Sequence, residues 1–102
     1  MSYRVVFAPE AREDLRKLYD FIADRAGENQ ALSYIEAIER FCLGFREFPE
    51  RGVRRDELFA GLRVVGFKRR VSIAFHIQDR TVTFDRILYA GRDLGRAFRH
   101  TR

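Results

Sequence analysis

The stretch Val71-Ser72-Ile73-Ala74-Phe75-His76-Ile77 decides the fold. Strand side chains alternate between faces, so Val71, Ile73, Phe75 and Ile77 fall on one side and Ser72, Ala74 and His76 on the other. Gln78-Asp79-Arg80 supplies a turn, and Thr81 to Tyr89 returns as a second strand with Val82 and Phe84 on one face. Arg86 breaks that alternation, which predicts a bulge or a switch of face near Asp85–Ile87. Leu62–Phe67 precedes this pair as a further strand, joined to it by the basic turn Lys68-Arg69-Arg70. An antiparallel sheet with one strongly apolar face needs a cover.

The cover lies upstream. Ala11, Leu15, Leu18, Ile22 and Ala26 recur at helical spacing behind Pro9, a residue suited to a first helical turn. Glu10, Glu13 and Asp14 crowd the start of that helix, where carboxylates favour the dipole, and Gly27 ends it. Asn29 is the expected N-cap of a second helix. Its stripe runs through Ala31, Tyr34, Ile35, Ile38, Phe41, Cys42, Phe45 and Phe48, and Pro49 closes it. Gly44 inside that helix reads as a point of close packing with a neighbour. Tyr3, Val5 and Phe7 form a short strand before the hairpin, and residues 50–61 read as an irregular charged loop.

The expected fold class is therefore α+β. An N-terminal strand leads into an antiparallel helix hairpin packed on a three-stranded antiparallel sheet, and residues 1–102 make a single domain. The core is expected to hold Leu15, Leu18, Ile22, Ile35, Ile38, Phe41, Phe45, Val71, Ile73, Phe75, Val82 and Phe84. The second sheet face and the loops are left free for partners. The tail from Gly91 to Arg102 is either a short helical turn or mobile.

Residues 1–50 carry seven Lys and Arg against ten Asp and Glu, a net of −3, whereas residues 51–102 carry thirteen against five, a net of +8. An acidic helical half and an arginine-dense strand half give the molecule a polar axis that steers it toward polyanions or acidic segments. The lone cysteine, Cys42, sits in an apolar helical pattern and reads as core. No apolar run has signal-peptide or membrane-span length, so the expectation is a cytoplasmic protein with no membrane partner. One Cys and the distant His76 and His100 leave no metal-ligand spacing, and no phosphate-loop or dinucleotide motif occurs. Hence no metal and no cofactor are expected.

Arginine is what remains. Arg63 opens a strand, Arg86 lies inside one, and Arg92 follows Gly91 at its exit. A cation there needs either an internal partner such as Asp56, Glu57, Asp85 or Asp93, or a phosphate or carboxylate from outside. Lys68-Arg69-Arg70 reads as a solvated turn. His76 is either a half-exposed strand histidine or a general acid–base, and Tyr89 and His100 are either structural or proton donors. Leu94, Arg96, Phe98 and Arg99 give the tail a basic, apolar, partner-seeking character.

Taken in order, Ala11-x-x-Asp14-Leu15, Ala31-x-x-Tyr34-Ile35, Phe48-Pro49-x-x-Gly52, Gly61-Leu62-Arg63, the strand from Arg70 to Ile77 and the closing Ile87-to-Phe98 segment resemble the ParE/RelE superfamily of bacterial toxins, nearest its ParE branch. The resemblance covers nearly the whole chain. It implies a bacterial toxin of a type II toxin–antitoxin system, of the kind tied to plasmid stabilisation, neutralised by a ParD-like antitoxin. ParE-like members are associated with inhibiting DNA gyrase by binding it. The alternative is the RelE-like activity, a ribosome-dependent mRNA endoribonuclease. On that alternative Arg63 and Arg92 stabilise phosphate while His76, Tyr89 or His100 moves protons. The clustered lysines that line the sites of RelE-like enzymes are missing, since Lys17 and Lys68 are the only two, and this favours the ParE branch. On that branch Arg63, Arg86, Arg92, Leu94, Arg96, Phe98 and Arg99 contact antitoxin or target, and no residue is catalytic.

Overall fold

The computed structural model describes residues 2–89 and 94–99, the last by its backbone alone. The strand β1 (Arg4–Phe7) leads into α1 (Pro9–Ala26) and α2 (Glu28–Leu43). A 3-10 turn at Gly44–Arg46 follows, then β2 (Val53–Arg54), β3 (Arg63–Phe67), β4 (Val71–Gln78), β5 (Thr81–Tyr89) and α3 (Leu94–Arg99). One sheet holds five strands in the order β1-β5-β4-β3-β2. That corrects the expected three. Two strands join the edges: β1 runs parallel to β5, with Phe7 opposite Phe84, and β2 pairs two residues of the expected loop with β3.

Local chemistry accounts for the helix boundaries. Pro9 opens α1 where its missing N–H is no loss. Gly27 then ends α1 and caps α2 in a single residue at φ 93°, a region that costs glycine little. The expected N-cap at Asn29 is thus displaced, because Gly27 leaves no residues for a connection. The helix α2 stops at Leu43, and Gly44 is its exposed C-cap rather than a close-packing point. A Cβ on Gly44 would meet only the Arg51 guanidinium, at an ordinary 3.6 Å. Phe48 lies beyond the helix and is 78% exposed, so it leaves the apolar stripe. Gly52, by contrast, is required: a Cβ there would stand 2.5 Å from the Val64 carbonyl oxygen as β2 joins β3.

The core lies between the helix hairpin and one sheet face. It contains Leu15, Leu18, Ile38, Phe45, Val71, Ile73, Phe75, Val82 and Phe84, with Ile22, Ile35 and Phe41 packed against it, as expected. Phe75 is its centre, edge-on to Phe45 at 5.0 Å and tilted against Phe84 at 5.5 Å. The predicted irregularity in β5 is a bulge: Ala74 pairs with Arg86 and Phe75 with Phe84, leaving Asp85 as the extra residue. The bulge lets Ile87 and Tyr89 face the helices again.

The other sheet face is not free. Phe98 of α3 is buried over Leu62 and Ala74, with Leu58, Val64, Leu94 and Ala97 around it. Replacing Phe75 with Ala should cost about 3–5 kcal/mol, from lost burial and a cavity beside Phe45 and Phe84. Denaturant unfolding measures this, and a loss under 1 kcal/mol would mean the centre lies elsewhere.

Candidate functional site

Beyond Phe7 the strand β1 ends, and β5 runs on as a sheet edge crossed by α1. Ala8 N–H donates to Phe84 O at 2.9 Å, the last link between the two chains. The next edge donor, Ile87 N–H, turns to the Asp14 carboxylate at 2.8 Å. The same carboxylate accepts Arg86 Nε at 2.8 Å and Nη2 at 3.0 Å. Asp14 is 8% exposed and shares the buried stripe of Ala11, Leu15 and Leu18. Its hydrogen bond holds the Arg86 guanidinium pKa above its usual value, against the opposing effect of burial. Arg86 is therefore an internal ion-pair residue, and its partner among the described residues is Asp14 rather than Asp56, Glu57 or Asp85, while Asp93 lies outside the described residues.

On the α3 face, His76 Nδ1 lies 2.7 Å from Asp85 Oδ2, which fixes the ring orientation and gives the Nδ1 proton an acceptor. Phe59 covers the imidazole edge-on at 5.4 Å and stacks on Phe98 at 6.3 Å. Glu10, Phe59, Asp85, Arg86 and Phe98 line a cleft of about 180 Å³ beside this pair. Burial pushes the Asp85 carboxyl above the ordinary range, and the contact with His76 only partly opposes it. The short distance alone suggests an ion pair that would lower the value. Burial is the larger effect, because both side chains are about four-fifths covered, at 20% and 17% exposure.

Arg63 stands apart. Its register opposite Phe75 puts it on the helix-hairpin side of β3, and it faces Arg54 across the β2 pair. Like charges in that position repel. Asp56 relieves the repulsion by accepting Arg54 at 2.9 and 3.1 Å and Gly61 N–H at 2.8 Å. The hydrogen bond from Arg54 holds the Asp56 carboxyl below its usual pKa, helped by the Gly61 N–H and by the charge of Arg63. Among the described residues Arg63 itself makes no hydrogen bond or ion pair, so it is a half-buried cation open to an outside anion.

Tyr89 ends β5 in an aromatic group with Phe21 at 5.5 Å and Tyr34 at 6.5 Å. It lines a second cleft of about 280 Å³ together with Lys17, Phe21 and the Asp14 carboxylate. Leu94 is half-buried, Arg96 exposed and Phe98 7% exposed, so the tail is less open than its sequence implies. Arg92, His100 and the Arg99 side chain lie outside the described residues. Burial pushes the Cys42 thiol up to about 12, which removes it as a nucleophile.

Among the described residues, Arg63, His76 and Tyr89 do not converge. Arg63 and His76 occupy opposite faces, and Tyr89 lies five positions beyond Phe84, roughly 17 Å along the strand. The reading from sequence missed Asp14, Asp85, Glu10 and Phe59 as site-forming groups. Asp14 carried a signal: a carboxylate at a core position of an amphipathic helix requires a buried partner.

Two predictions follow from these contacts. Asp14→Ala leaves the Arg86 charge and the Ile87 N–H without partners and should cost about 3–5 kcal/mol in chemical denaturation. The Asp85 carboxyl has a raised pKa in the fold, so its contribution to stability is full below the unfolded pKa and is lost as pH rises through the folded one. Asp85→Asn should therefore gain on the wild type as pH rises from about 4, the ordinary aspartate value, through the mildly acidic range. Melting curves across that range check it, and a difference that is flat or shrinks with pH means that the His76 ion pair dominates.

A family model described as the ParE toxin of a type II toxin–antitoxin system, parDE, matches residues 5–94. Among solved structures, the chain is similar to the chromosomal ParDE toxin–antitoxin system from P. aeruginosa. That similarity has a TM-score of 0.76 and 20% identity, over 87% of this chain and 97% of the other. It is also similar to the RelBE2 toxin–antitoxin complex from Mycobacterium tuberculosis. There the TM-score is 0.62 and the identity 25%, over 87% of this chain and 92% of the other. No curated protein matches the chain.

Proposed function

This chain belongs to the ParE toxin family of type II toxin–antitoxin systems, and we propose that it inhibits DNA gyrase by binding and is neutralised by a ParD-like antitoxin. One observation carries the choice of a binding toxin over a nuclease: among the described residues, the candidate phosphate and proton-transfer groups do not share a site. Arg63 and His76 are on opposite sheet faces. An endoribonuclease needs a proton mover and a phosphate-stabilising cation around one scissile bond.

The competing reading is a ribosome-dependent mRNA endoribonuclease of the RelE type. The observation in its favour is the His76–Asp85 contact, which orients an imidazole in the manner of a general base. Its weakness is position, since Phe59 covers the ring and Arg86, the arginine that lines the same cleft as Asp85, is already held by Asp14.

The antitoxin reading is supported by the similarity to two structures of toxin–antitoxin systems and by the surface itself. Phe21 and Leu32 are exposed on the helix hairpin, and Arg63 is an unpaired cation on the sheet. An apolar and acidic antitoxin segment laid along hairpin and sheet would cover all three. Gyrase acts in the bacterial cytoplasm, and the reading places the toxin there. No helix among the described residues is long and apolar enough to cross a membrane.

Supercoiling by purified gyrase and ribosome-dependent mRNA cleavage, measured side by side, test the target. The expected result is inhibited supercoiling with intact mRNA. The triple variant His76→Asn, Tyr89→Phe, His100→Asn should keep its toxicity, whereas removing a true proton-transfer group costs about 10²–10⁴ in rate. Loss of toxicity in a still-folded triple variant, with mRNA cut and supercoiling spared by the wild type, would establish the nuclease instead. Truncation of residues 94–102 should weaken toxicity. It also removes Phe98 from Leu62 and Ala74, so its thermal unfolding must be measured in parallel.

A further inference from the structure

The turn between β3 and β4 is built from unsuitable residues. Lys68 has φ 50° and Arg69 φ 61°, and Arg70 N–H donates to Phe67 O at 3.1 Å to close the turn. A two-residue hairpin turn of this hand takes Asn-Gly or Asp-Gly, because other side chains meet their own backbone there. The next hairpin has the same geometry at Asp79 and Arg80, but its strain is answered by contacts. Arg80 donates to Ser2 O at 3.3 Å and lies 4.7 Å over the Tyr3 ring. Lys68 likewise rests over Tyr34 and Phe67, at 5.6 and 5.4 Å. Arg69 has no such answer. Among the described residues neither Arg69 nor Arg70 makes a side-chain hydrogen bond or ion pair, and both are exposed.

Some exposed arginines elsewhere are neutralised nearby, Arg16 by Glu13 and Asp20, Arg54 by Asp56 and Arg55 by Glu57, whereas Arg4, Arg40 and Arg46 make no ion pair among the described residues. The turn makes no ion pair among the described residues, and no acidic residue occurs between Glu57 and Asp79 in the sequence. A strained backbone carrying two adjacent exposed arginines that make no side-chain hydrogen bond or ion pair among the described residues marks a site for an outside anion.

We propose that the Lys68-Arg69-Arg70 turn is a contact for the phosphate backbone of duplex DNA. The inference rests on the gyrase reading in one respect, that the target presents DNA together with protein. The surroundings favour a duplex over single-stranded RNA. Single strands are held by aromatic rings on which bases stack. Here the two rings nearest the tip lie under Lys68: Phe67 is 7% exposed and Tyr34 half-buried. What the tip offers is exposed charge at the end of the β3, β4 and β5 strands with no exposed ring beside it, which suits contact with a phosphate backbone rather than with unstacked bases. Phosphate contacts of this kind position a protein without reading sequence.

Fluorescence anisotropy of the full-length protein on a 20-bp DNA duplex, repeated from about 50 to 200 mM salt, tests this. Lys68→Asn combined with Arg69→Gly installs a relaxed turn while removing two charges. It should melt no lower than the wild type, yet bind duplexes of any sequence more weakly. The slope of log K against log salt should flatten by about 2. Arg69→Gln with Arg70→Gln removes two charges with the backbone strain unchanged and should flatten the slope equally. Unchanged slopes in both variants overturn the proposal, as does tighter binding of the wild type to single-stranded RNA. Supercoiling by gyrase is followed with the same preparations. Flattened slopes without gyrase inhibition by the wild type would support the DNA contact and remove the gyrase reading. Unchanged slopes with inhibition would remove the DNA contact alone.

Discussion

The Asp14 carboxylate is the constraint on which the rest of the structure depends. It satisfies the edge donor that β1 leaves exposed, neutralises an arginine inside a strand, and fixes α1 at one height over β5, all with two oxygen atoms. Without it, the Arg86 side chain, 19% exposed, would be left with no partner among the described residues. A small domain has only about 5–15 kcal/mol of net stability, so one such loss is a large share of the whole. The same contact decides the chemistry, because it takes Arg86 out of the set of residues that can meet a ligand.

Sorting arginines by partner gives the polar axis its meaning. Arg16, Arg54, Arg55 and Arg86 are paired within the fold, and Arg51 lies 3.8 Å over the Phe45 ring. Arg63, Arg69 and Arg70 are not paired among the described residues. Two stretches of the basic half, the opening of β3 and the β3–β4 tip, therefore carry cations that make no ion pair among the described residues. Exposed pairs elsewhere contribute little to stability and are screened by salt.

Much of this was legible in the chain. Alternation through Val71–Ile77 and the break at Arg86 gave β4, β5 and the bulge, because side-chain period and a misplaced charge are local signals. The stripes of α1 and α2 gave the core for the same reason. Edges were not legible. The pairing of β1 with β5 joins residues almost eighty positions apart, and β2 is two residues held by Gly52 and Val64, so neither has a period to read. Phe48 misled because a 3-10 turn at Gly44–Arg46 ends the helical phase before it. The partner of Arg86 was not legible either, because it lies on the first helix, 72 positions away, where no local pattern links the two.

The placement of β1 beside β5 has a consequence for how the toxin is made. The first strand synthesised can dock only on the last, and the Asp14–Arg86 contact spans 72 positions of chain. A nascent chain can form the helix hairpin early, since Gly27 joins its two arms locally. The sheet that covers the hairpin cannot close until β5 has left the ribosome, because long-range pairing must await its partner. Between those moments the apolar faces of α1 and α2 stand open, and a protein able to hold them would meet the toxin before its fold is complete.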